Sequence, residues 1–447
     1  MNVRTAVATL LAASAPGAAR AGDPFSLPVQ ETHLENGLRV ILAPDRGVPG
    51  VALDLLFVVG SGDERPGRTG LAHLFEHLMF MGSVHAPYPQ FDALMERHGG
   101  RNNASTGEDR THYHEEGPSN LLPLFLWLEA DRLATLPEVM TAEKVKAQRL
   151  VVQNERRQSY ENRPYGAASL ALPAALFPRG HPYSWPVIGD HADLEAATAE
   201  EVKAFFALHY TPANASLAIA GDFDPGEALS LVRRYFGWMP PAPLPPRPVA
   251  GTGAPPAAAP LRLRDRVSLP MALLAWRSPP AFAAGDAEMD LAARVLVNGK
   301  SGRLYRSLVY DRRMATQVEA DQESLELGSV FRVAAVAQPG TRADALAAAV
   351  EEEMRRLATE GPTPGEMEEA RTVILTGLAR ELERLDARAS FLNTVARGLG
   401  RADALPRAAA RYREATPASV RLAVQGALAR GRAYLDVEPR AVGPEAR

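Results

Sequence analysis

The chain has 447 residues, of which 46% are hydrophobic and 23% are charged, and its formal net charge is −4. This composition is typical of a soluble globular protein of about two domains, and it excludes a fibrous or largely disordered chain. The lack of a basic run argues against nucleic acid as a partner, and the lack of cysteine excludes disulfides and thiolate metal ligands.

The first 21 residues have the pattern of a signal peptide. Arg4 supplies the positive charge, Ala6–Ala13 is mostly apolar, and residues 19–21 (Ala-Arg-Ala) offer a cleavage site of the small-x-small type. A frayed tail without a targeting role is the alternative. No later stretch has about 20 consecutive apolar residues, so we expect no transmembrane segment in the mature chain. The predicted location is outside the cytoplasm, in the periplasm, either free or attached to a membrane surface.

The most informative motif is His73, Glu76 and His77. Two histidines four positions apart lie on one face of a helix, where both imidazoles can reach a single metal ion. The order His-x-x-Glu-His is that of the inverted zinc-peptidase motif. A chance spacing among the chain's ten histidines is the alternative. A catalytic zinc also needs a third protein ligand and an open position for water.

A second helix, predicted over Thr141–Arg157, brings a carboxylate that could serve as this third ligand. Its apolar stripe is predicted to run through Val145, Leu150 and Val152. Glu155 lies near the end of this helix. Taken alone, Glu155 would be interpreted as a solvated surface carboxylate.

The chain divides at a stretch rich in proline and alanine, residues 240–260, which predicts an extended linker. The two halves also resemble each other. Leu273–Leu274 lies 218 positions after Leu55–Leu56, and Ala415–Thr416 lies 218 positions after Ala197–Thr198. A constant offset indicates an internal duplication. Each half mixes strands with capped helices, which predicts an α+β fold with antiparallel sheets.

The same offset also shows which residues of the second half correspond to the motif. It places Leu291, Arg294 and Val295 at the positions that correspond to the His-x-x-Glu-His motif. None of these three residues can repeat the motif's chemistry. We therefore expect one metal site per chain, a single Zn²⁺ in the first half.

Four stretches resemble the pitrilysin/insulinase family of zinc metallopeptidases. They are Gly70–Ser83 around the motif, Gly99–Tyr113, Val152–Gly166 and Tyr210–Phe223. The resemblance implies two homologous domains, each an antiparallel sheet backed by helices, which together form one half of a clamshell. It also implies the site residues: His73, His77 and Glu155 as zinc ligands and Glu76 as the general base.

The resemblance further implies a substrate-docking strand at Asn103, Ala104, Ser105 and Thr106. An extended peptide can add to such a strand through main-chain hydrogen bonds, with a loose sequence preference. An ordinary protected sheet edge is the alternative. The resemblance gives no ligand role to His85, His98, His112 or His114, and we expect surface or structural roles for them.

The chain departs from the family at three positions. Gln148 stands where many members have a second carboxylate, so we expect it in the second shell of the metal site without a charge. Active members also carry an arginine and, seven residues later, a tyrosine that help to stabilise the transition state. Val309 and Thr316 occupy those positions here, and Arg303, Tyr305, Tyr310 and Arg312 are nearby but out of register.

The missing pair suggests that another chain supplies it. We expect a zinc-dependent endopeptidase acting on peptides or unfolded polypeptides as the zinc-bearing subunit of a heterodimer. A homodimer that works without the pair and an inactive subunit are alternatives, and a noncatalytic peptide-binding or scaffold subunit is the rival function. The predicted domains are residues 22–239 and 261–447, joined by the linker at 240–260.

Overall fold

The computed structural model describes residues 23–251 and 259–440. The predicted signal peptide, residues 1–21, lies outside the described residues, and so do residues 252–258 of the predicted linker. The described parts of the linker, residues 240–251 and 259–260, have no regular secondary structure, as the prolines of this stretch dictate.

Eleven strands are present in the described residues and form two sheets. The first sheet has the order β1-β2-β6-β3-β5-β4 and the second the order β7-β11-β8-β10-β9. The strands are β1 (Gln30–His33), β2 (Arg39–Pro44), β3 (Gly50–Phe57), β4 (Arg101–Thr106), β5 (Thr111–Pro118), β6 (Ala215–Gly221), β7 (Leu261–Asp265), β8 (Met271–Ser278), β9 (Ala315–Glu323), β10 (Ser329–Ala337) and β11 (Arg432–Pro439).

The helices pack on both faces of these sheets. Within the described residues they are α1 (Leu71–Leu78), α2 (Gln90–Arg97), α3 (Leu122–Val139), α4 (Ala142–Arg156), α5 (Gly166–Leu176), α6 (His191–Ala196), α7 (Ala199–His209), α8 (Pro225–Phe236), α9 (Asp286–Leu296), α10 (Ala343–Glu360), α11 (Pro364–Glu383), α12 (Leu385–Leu399), α13 (Leu405–Glu414) and α14 (Pro417–Ala429). None of these helices is both long and apolar enough to cross a membrane.

The predicted internal duplication is present at the level of strand register. Leu55 of β3 pairs with Leu217 of β6, and Leu273 of β8 pairs with Leu435 of β11, which is the same pair shifted by 218 positions. The ladders are antiparallel except for one parallel pair in each sheet, β2 with β6 and β7 with β11. The predicted α+β fold with two similar sheets is therefore confirmed.

Each half also contributes a helix that packs against the sheet of the other half. α5 of the first half packs through Leu172 and Leu176 against Leu273 and Leu435 of the second sheet. In the reverse direction, α12 packs through hydrophobic side chains such as Leu392 against the back of the first sheet. Burying an apolar sheet face against a helix removes roughly several hundred Å² of apolar surface from water. Each Å² stabilises the contact by about 25 cal/mol. The exchange therefore holds the halves together, and the domain bounds 22–239 and 261–447 remain a proposal.

One detail of the predicted α4 stripe is wrong. Val145 and Val152 are buried, but Leu150 is 52% exposed. Val145 and Val152 are seven positions apart, close to two full turns, so they share a face. Leu150 is five positions after Val145, which turns its side chain about 140° away.

Candidate metal centre

The helix that carries the motif begins at a constrained turn. Gly70 has φ = 84°, and a Cβ there would lie 2.8 Å from the Cα of Gly189, so no other residue fits without strain. The first N–H groups of the helix find their acceptor in Glu64. Its carboxylate accepts from Gly70 N at 2.9 Å and from Ala72 N at 2.7 Å. Glu64 thus caps α1 and fixes where the motif side chains point.

His73, His77 and Glu155 meet although Glu155 comes from a different helix. The Oε2 atom of Glu155 lies 3.2 Å from His77 Nε2 and 3.8 Å from His73 Nε2. The possible ligand atoms of the three residues all lie within 4.8 Å of one another. The site lies where α1 packs against α4, and helix packing supplies the third group that local spacing could not.

The electrostatics of these groups suit a divalent cation. Burial, assisted by the neighbouring His77, lowers the pKa of His73 to about 4, so its imidazole is neutral at pH 7 and keeps a lone pair for a metal. The hydrogen bond with His77 lowers the pKa of Glu155, which keeps this residue a carboxylate. Two neutral imidazoles and one carboxylate are a donor set that fits zinc.

Glu76 projects from the same helix beside these ligands. Its Oε2 accepts a hydrogen bond of 2.5 Å from Thr106 Oγ1 at the end of β4. Burial raises the pKa of the Glu76 carboxyl, while the hydrogen bond from Thr106 opposes that rise. A carboxylate with a raised pKa is a better proton acceptor than an exposed glutamate, as a general base requires.

The metal centre opens into a cavity of about 950 Å³ between the two halves. His73, Glu76 and Glu155 line one side of it. Strands β9 and β10 of the second sheet line the opposite side with charged residues, including Glu323 and Arg332. A cavity of this size accommodates several residues of an extended peptide.

The predicted docking strand lies at the rim of this cavity. β4 is the edge strand of the first sheet, paired with β5 on one side only. Ala104, Ser105 and Thr106 line the cavity, whereas Asn103 is exposed and its Oδ1 accepts a hydrogen bond of 2.9 Å from Ala104 N. The N–H of Ala104 thus points away from β5 toward the open edge, where the side chain of Asn103 accepts its hydrogen bond.

Gln148 contacts the back of the motif segment. Its side-chain amide donates to the sulfur of Met81 at 2.9 Å. The contact places Gln148 beside the segment that follows α1, and its predicted second-shell role at the metal remains a prediction.

The second half offers no replacement at the two departing positions. Val309 lines a separate small pocket, and Thr316 donates to the backbone carbonyl of Val336 at 3.3 Å. The neighbouring arginines are engaged elsewhere. Arg303 pairs with Glu366 and Arg312 with Glu352, the first at 2.7 Å and the second at 2.8 Å.

The helix corresponding to α1 in the second half is α9, which carries Leu291, Arg294 and Val295 as expected from the offset. Leu291 and Val295 are buried in the core of that half. Leu291 and Val295 thus occupy the positions in the second half that His73 and His77 occupy in the first half.

Sequence reasoning missed Glu64. A glutamate shortly before a helix is a known capping signal, but the capping box predicts it at a fixed position inside the first turn. Here the carboxylate lies six residues before Gly70 and returns through a loop, which only the tertiary structure reveals.

Two family models match the chain. One is described as insulinase (peptidase family M16) and matches residues 39–189, and the other is described as the peptidase M16 inactive domain and matches residues 196–374. The zinc protease PqqE of Helicobacter pylori is 31% identical over 329 residues, which are 72% of each chain. An uncharacterized zinc protease of Mycobacterium leprae is 27% identical over 368 residues, 80% of each chain.

Solved structures share the fold. A protease from Helicobacter pylori matches with a TM-score of 0.84 and 24% identity, over 92% of this chain and 100% of the other. The periplasmic protease PqqL from Escherichia coli matches with a TM-score of 0.73 and 18% identity, over 92% of this chain but 48% of PqqL. The fold is thus that of one clamshell half. Together with the sequence identity to PqqE, these matches show that the chain belongs to the insulinase family of peptidases, M16.

Proposed function

We propose that this chain is a zinc-dependent endopeptidase and that it acts as the zinc-bearing subunit of a heterodimer. The observation that carries the proposal is the convergence of His73, His77 and Glu155 beside a Glu76 that is held by a hydrogen bond. Each chain would hold one catalytic zinc ion at these three ligands. Relatives named zinc proteases support this assignment.

The proposed mechanism follows from the positions of the side chains. Zinc held at this centre supplies Lewis-acid activation of a water molecule and of the peptide carbonyl. Glu76 takes the proton of the attacking water, and the raised pKa of its carboxyl suits this task. The protonated Glu76 then returns the proton to the leaving amine. Thr106 keeps the carboxylate of Glu76 oriented at the cavity wall.

The proposed substrate is an extended peptide or an unfolded polypeptide. It would add to the open edge of β4 at Asn103, Ala104, Ser105 and Thr106, with main-chain hydrogen bonds that tolerate many sequences. The depth of the cavity between the halves favours flexible chains over folded proteins. The export predicted from residues 1–21 places the reaction in the periplasm, the compartment for which the structural relative PqqL is named.

The heterodimer follows from the residues at positions 309 and 316. Val309 has no side-chain donor, and the hydroxyl of Thr316 is directed to the carbonyl oxygen of Val336. Neither residue replaces an arginine or a tyrosine as a donor to the oxygen that becomes negatively charged in the transition state, and such donors are worth about 10²–10³ in kcat. The chain matches 48% of the length of PqqL, which supports a second clamshell half as the partner in the proposed complex. A related chain with the arginine and tyrosine would complete the site, and a homodimer or an inactive subunit are the alternatives.

A noncatalytic scaffold is the second candidate function. The observation that favours it is the same loss of the arginine and tyrosine positions. Four intact groups at the metal centre weigh against it, because a scaffold needs neither zinc nor a general base.

The test compares zinc content and hydrolysis of a quenched fluorescent peptide library. The purified chain is assayed alone and with a related chain that carries the arginine–tyrosine pair, and the Glu76→Gln variant serves as the matched control. We expect zinc in the chain both alone and with its partner. We expect hydrolysis only by the wild-type chain with its partner. Hydrolysis by the chain alone would refute the heterodimer, and a zinc-free chain would favour the scaffold.

A further inference from the structure

A second cluster of metal-binding side chains lies on the opposite face of the first sheet. Asp54 is on β3, and His112 and His114 are two positions apart on β5, so the two imidazoles point to the same face. Asp54 is the direct cross-strand partner of His114. Their possible ligand atoms all lie within 4.8 Å of one another, as at the first centre.

The sheet separates this cluster from the catalytic cavity. Leu53, Leu55 and Tyr113, which alternate with the cluster residues, face the core beneath α1. Asp54 and His112 face α12 instead, where Asn393 and Ser390 contact them. The cluster therefore lies at the contact between the first sheet and the helix that the second half lends to it.

Neighbouring polar side chains already orient Asp54 and His112. Asn393 Nδ2 donates to Asp54 Oδ1 at 2.6 Å, and Ser105 Oγ lies 2.7 Å from His112 Nε2. These contacts leave Asp54 Oδ2 and His112 Nδ1 facing each other at 2.8 Å. Metal-binding sites have this arrangement, in which the second atom of each ligand is fixed by a hydrogen bond.

Charge also favours a cation here. The side chain of Asp54 is fully buried, and its two oxygens contact Asn393 Nδ2 and His112 Nδ1. The carboxylates of Asp386 and Glu116 also lie near His114, where each is paired with an arginine. A buried carboxylate is costly unless a cation compensates it.

We propose that Asp54, His112 and His114 bind a second transition-metal cation, with zinc as the first choice for two imidazoles and a carboxylate. Tetrahedral zinc with bonds near 2.0 Å requires neighbouring ligand atoms about 3.3 Å apart, so Oδ2 and Nδ1 separate by about 0.5 Å on binding. The order Ser105–His112–Asp54 also matches a serine-hydrolase relay, but that interpretation leaves His114 without a role.

The second metal has a structural consequence. It ties β5 to β3 under α12, the helix lent by the second half, and it fixes His112 against Ser105 on the docking strand. Metal binding to the folded state alone stabilises that state. We therefore infer that this cation stabilises the first sheet beneath α12, independently of the catalytic zinc.

The test counts zinc ions per chain by mass spectrometry, on the full-length chain without an affinity tag. The protein is saturated with zinc and passed through metal-free buffer. We expect two zinc ions in the wild type, one in the His73→Ala/His77→Ala variant, one in His114→Gln and none in the triple variant. His114→Gln leaves the hydrogen bond between His112 and Asp54 in place, so folding is preserved, and circular dichroism checks this.

The matched control is His85→Gln. His85 is an exposed histidine outside both proposed metal sites, with its Nδ1 atom 2.6 Å from Asp131, and its loss should leave two zinc ions. Two zinc ions retained by His114→Gln, or none in His73→Ala/His77→Ala, would overturn the second site. One zinc that resists His73→Ala/His77→Ala but is lost in His114→Gln would instead refute the catalytic centre alone.

A thermal measurement gives an independent readout. In the His73→Ala/His77→Ala background, added zinc should raise the melting temperature, and His114→Gln should abolish that increase. A melting temperature that zinc leaves unchanged in this background contradicts the proposal.

Discussion

Thr106 and Glu76 are joined by a hydrogen bond that links the edge strand to the metal-binding helix. The hydroxyl of Thr106 donates to Glu76 Oε2 at 2.5 Å, and Thr106 in turn accepts from Thr111 Oγ1 at 3.3 Å. The strand that is proposed to dock the substrate thereby also orients the proposed base. In the proposed mechanism, the side chain of Thr106 therefore couples substrate docking to proton transfer.

Replacing Thr106 by valine should impair catalysis without removing zinc. Valine has a similar shape but no hydroxyl, so the carboxylate of Glu76 loses the bond that holds it toward the cavity. We expect kcat to fall about 10-fold, a part of the 10²–10⁴ that a general base contributes. Steady-state kinetics with a fluorescent peptide measure this effect. Thr106→Ser keeps the hydroxyl and should retain most activity, and equal losses in both variants would contradict this role.

The open edge of β4 can be tested at Ala104. Proline there removes the outward N–H but leaves the pairing with β5, a substitution that edge strands tolerate. Loss of one substrate hydrogen bond should raise KM about 10-fold, equivalent to about 1.4 kcal/mol. Asn103→Ala is the matched control, since it frees the Ala104 N–H and should leave KM unchanged or lower. An unaltered KM in Ala104→Pro would remove β4 as the docking strand.

Glu64 should make stability depend on pH. Burial raises the pKa of Glu64 to about 8 from the usual 4.5, so the folded state keeps this proton longer than the unfolded state. Between pH 4.5 and 8 the unfolded state binds fewer protons, and the contribution of Glu64 to stability therefore falls as pH rises, by up to about 4 kcal/mol. Glu64→Gln lacks this pH-dependent contribution because glutamine does not ionise.

The measurement is urea unfolding of the wild type and Glu64→Gln at pH 5 and pH 8. Glutamine offers one acceptor to the two N–H groups that start α1, so the variant should be less stable at pH 5 by about 1 kcal/mol. At pH 8 this deficit should disappear or reverse, because the wild type loses more stability with rising pH than the variant lacks at pH 5. A deficit that grows with pH would show that Glu64 is ionised in the folded state throughout.

Arg247 in the linker should contribute to stability. Its guanidinium donates to the carbonyl oxygen of Val58 at 2.8 Å and lies 3.2 Å from the nearly buried carboxylate of Asp63. Arg247→Met leaves Asp63 without this cation, and we expect a loss of about 2 kcal/mol in the free energy of unfolding. The control is Arg401→Met, whose ion pair with Asp403 is exposed on both sides and whose loss should leave the free energy of unfolding nearly unchanged. Similar losses in both variants would contradict a special role for the linker arginine.

The sequence predicted the features that depend on local spacing. The 218-residue offset anticipated that Leu55 and Leu273 occupy equivalent strand positions, because a duplicated segment repeats its hydrophobic pattern. The spacing of His73 and His77 anticipated a shared face of α1, because four residues make about one helical turn. Glu155 required the family resemblance, since nothing in its own helix distinguishes it from a surface glutamate.

Contacts between distant segments could not be predicted in this way. The capping of α1 by Glu64, the bond from Thr106 to Glu76 and the exchange of α5 and α12 all depend on how elements pack. The error at Leu150 has a different, local origin, because its spacing of five positions from Val145 turns it about 140° away from the buried face.

The sequence by itself determined the chemistry available to this protein. It places His73, Glu76 and His77 on about one helical turn, it contains no cysteine, and its second half lacks the motif. Periodicity and residue type are sufficient for these features because they act over a few residues. Only the tertiary structure decided which groups meet across the sheet and between the halves, including Asp54 beside His114. Such meetings depend on the burial of apolar faces, which sums contributions from the whole chain and leaves no local signature.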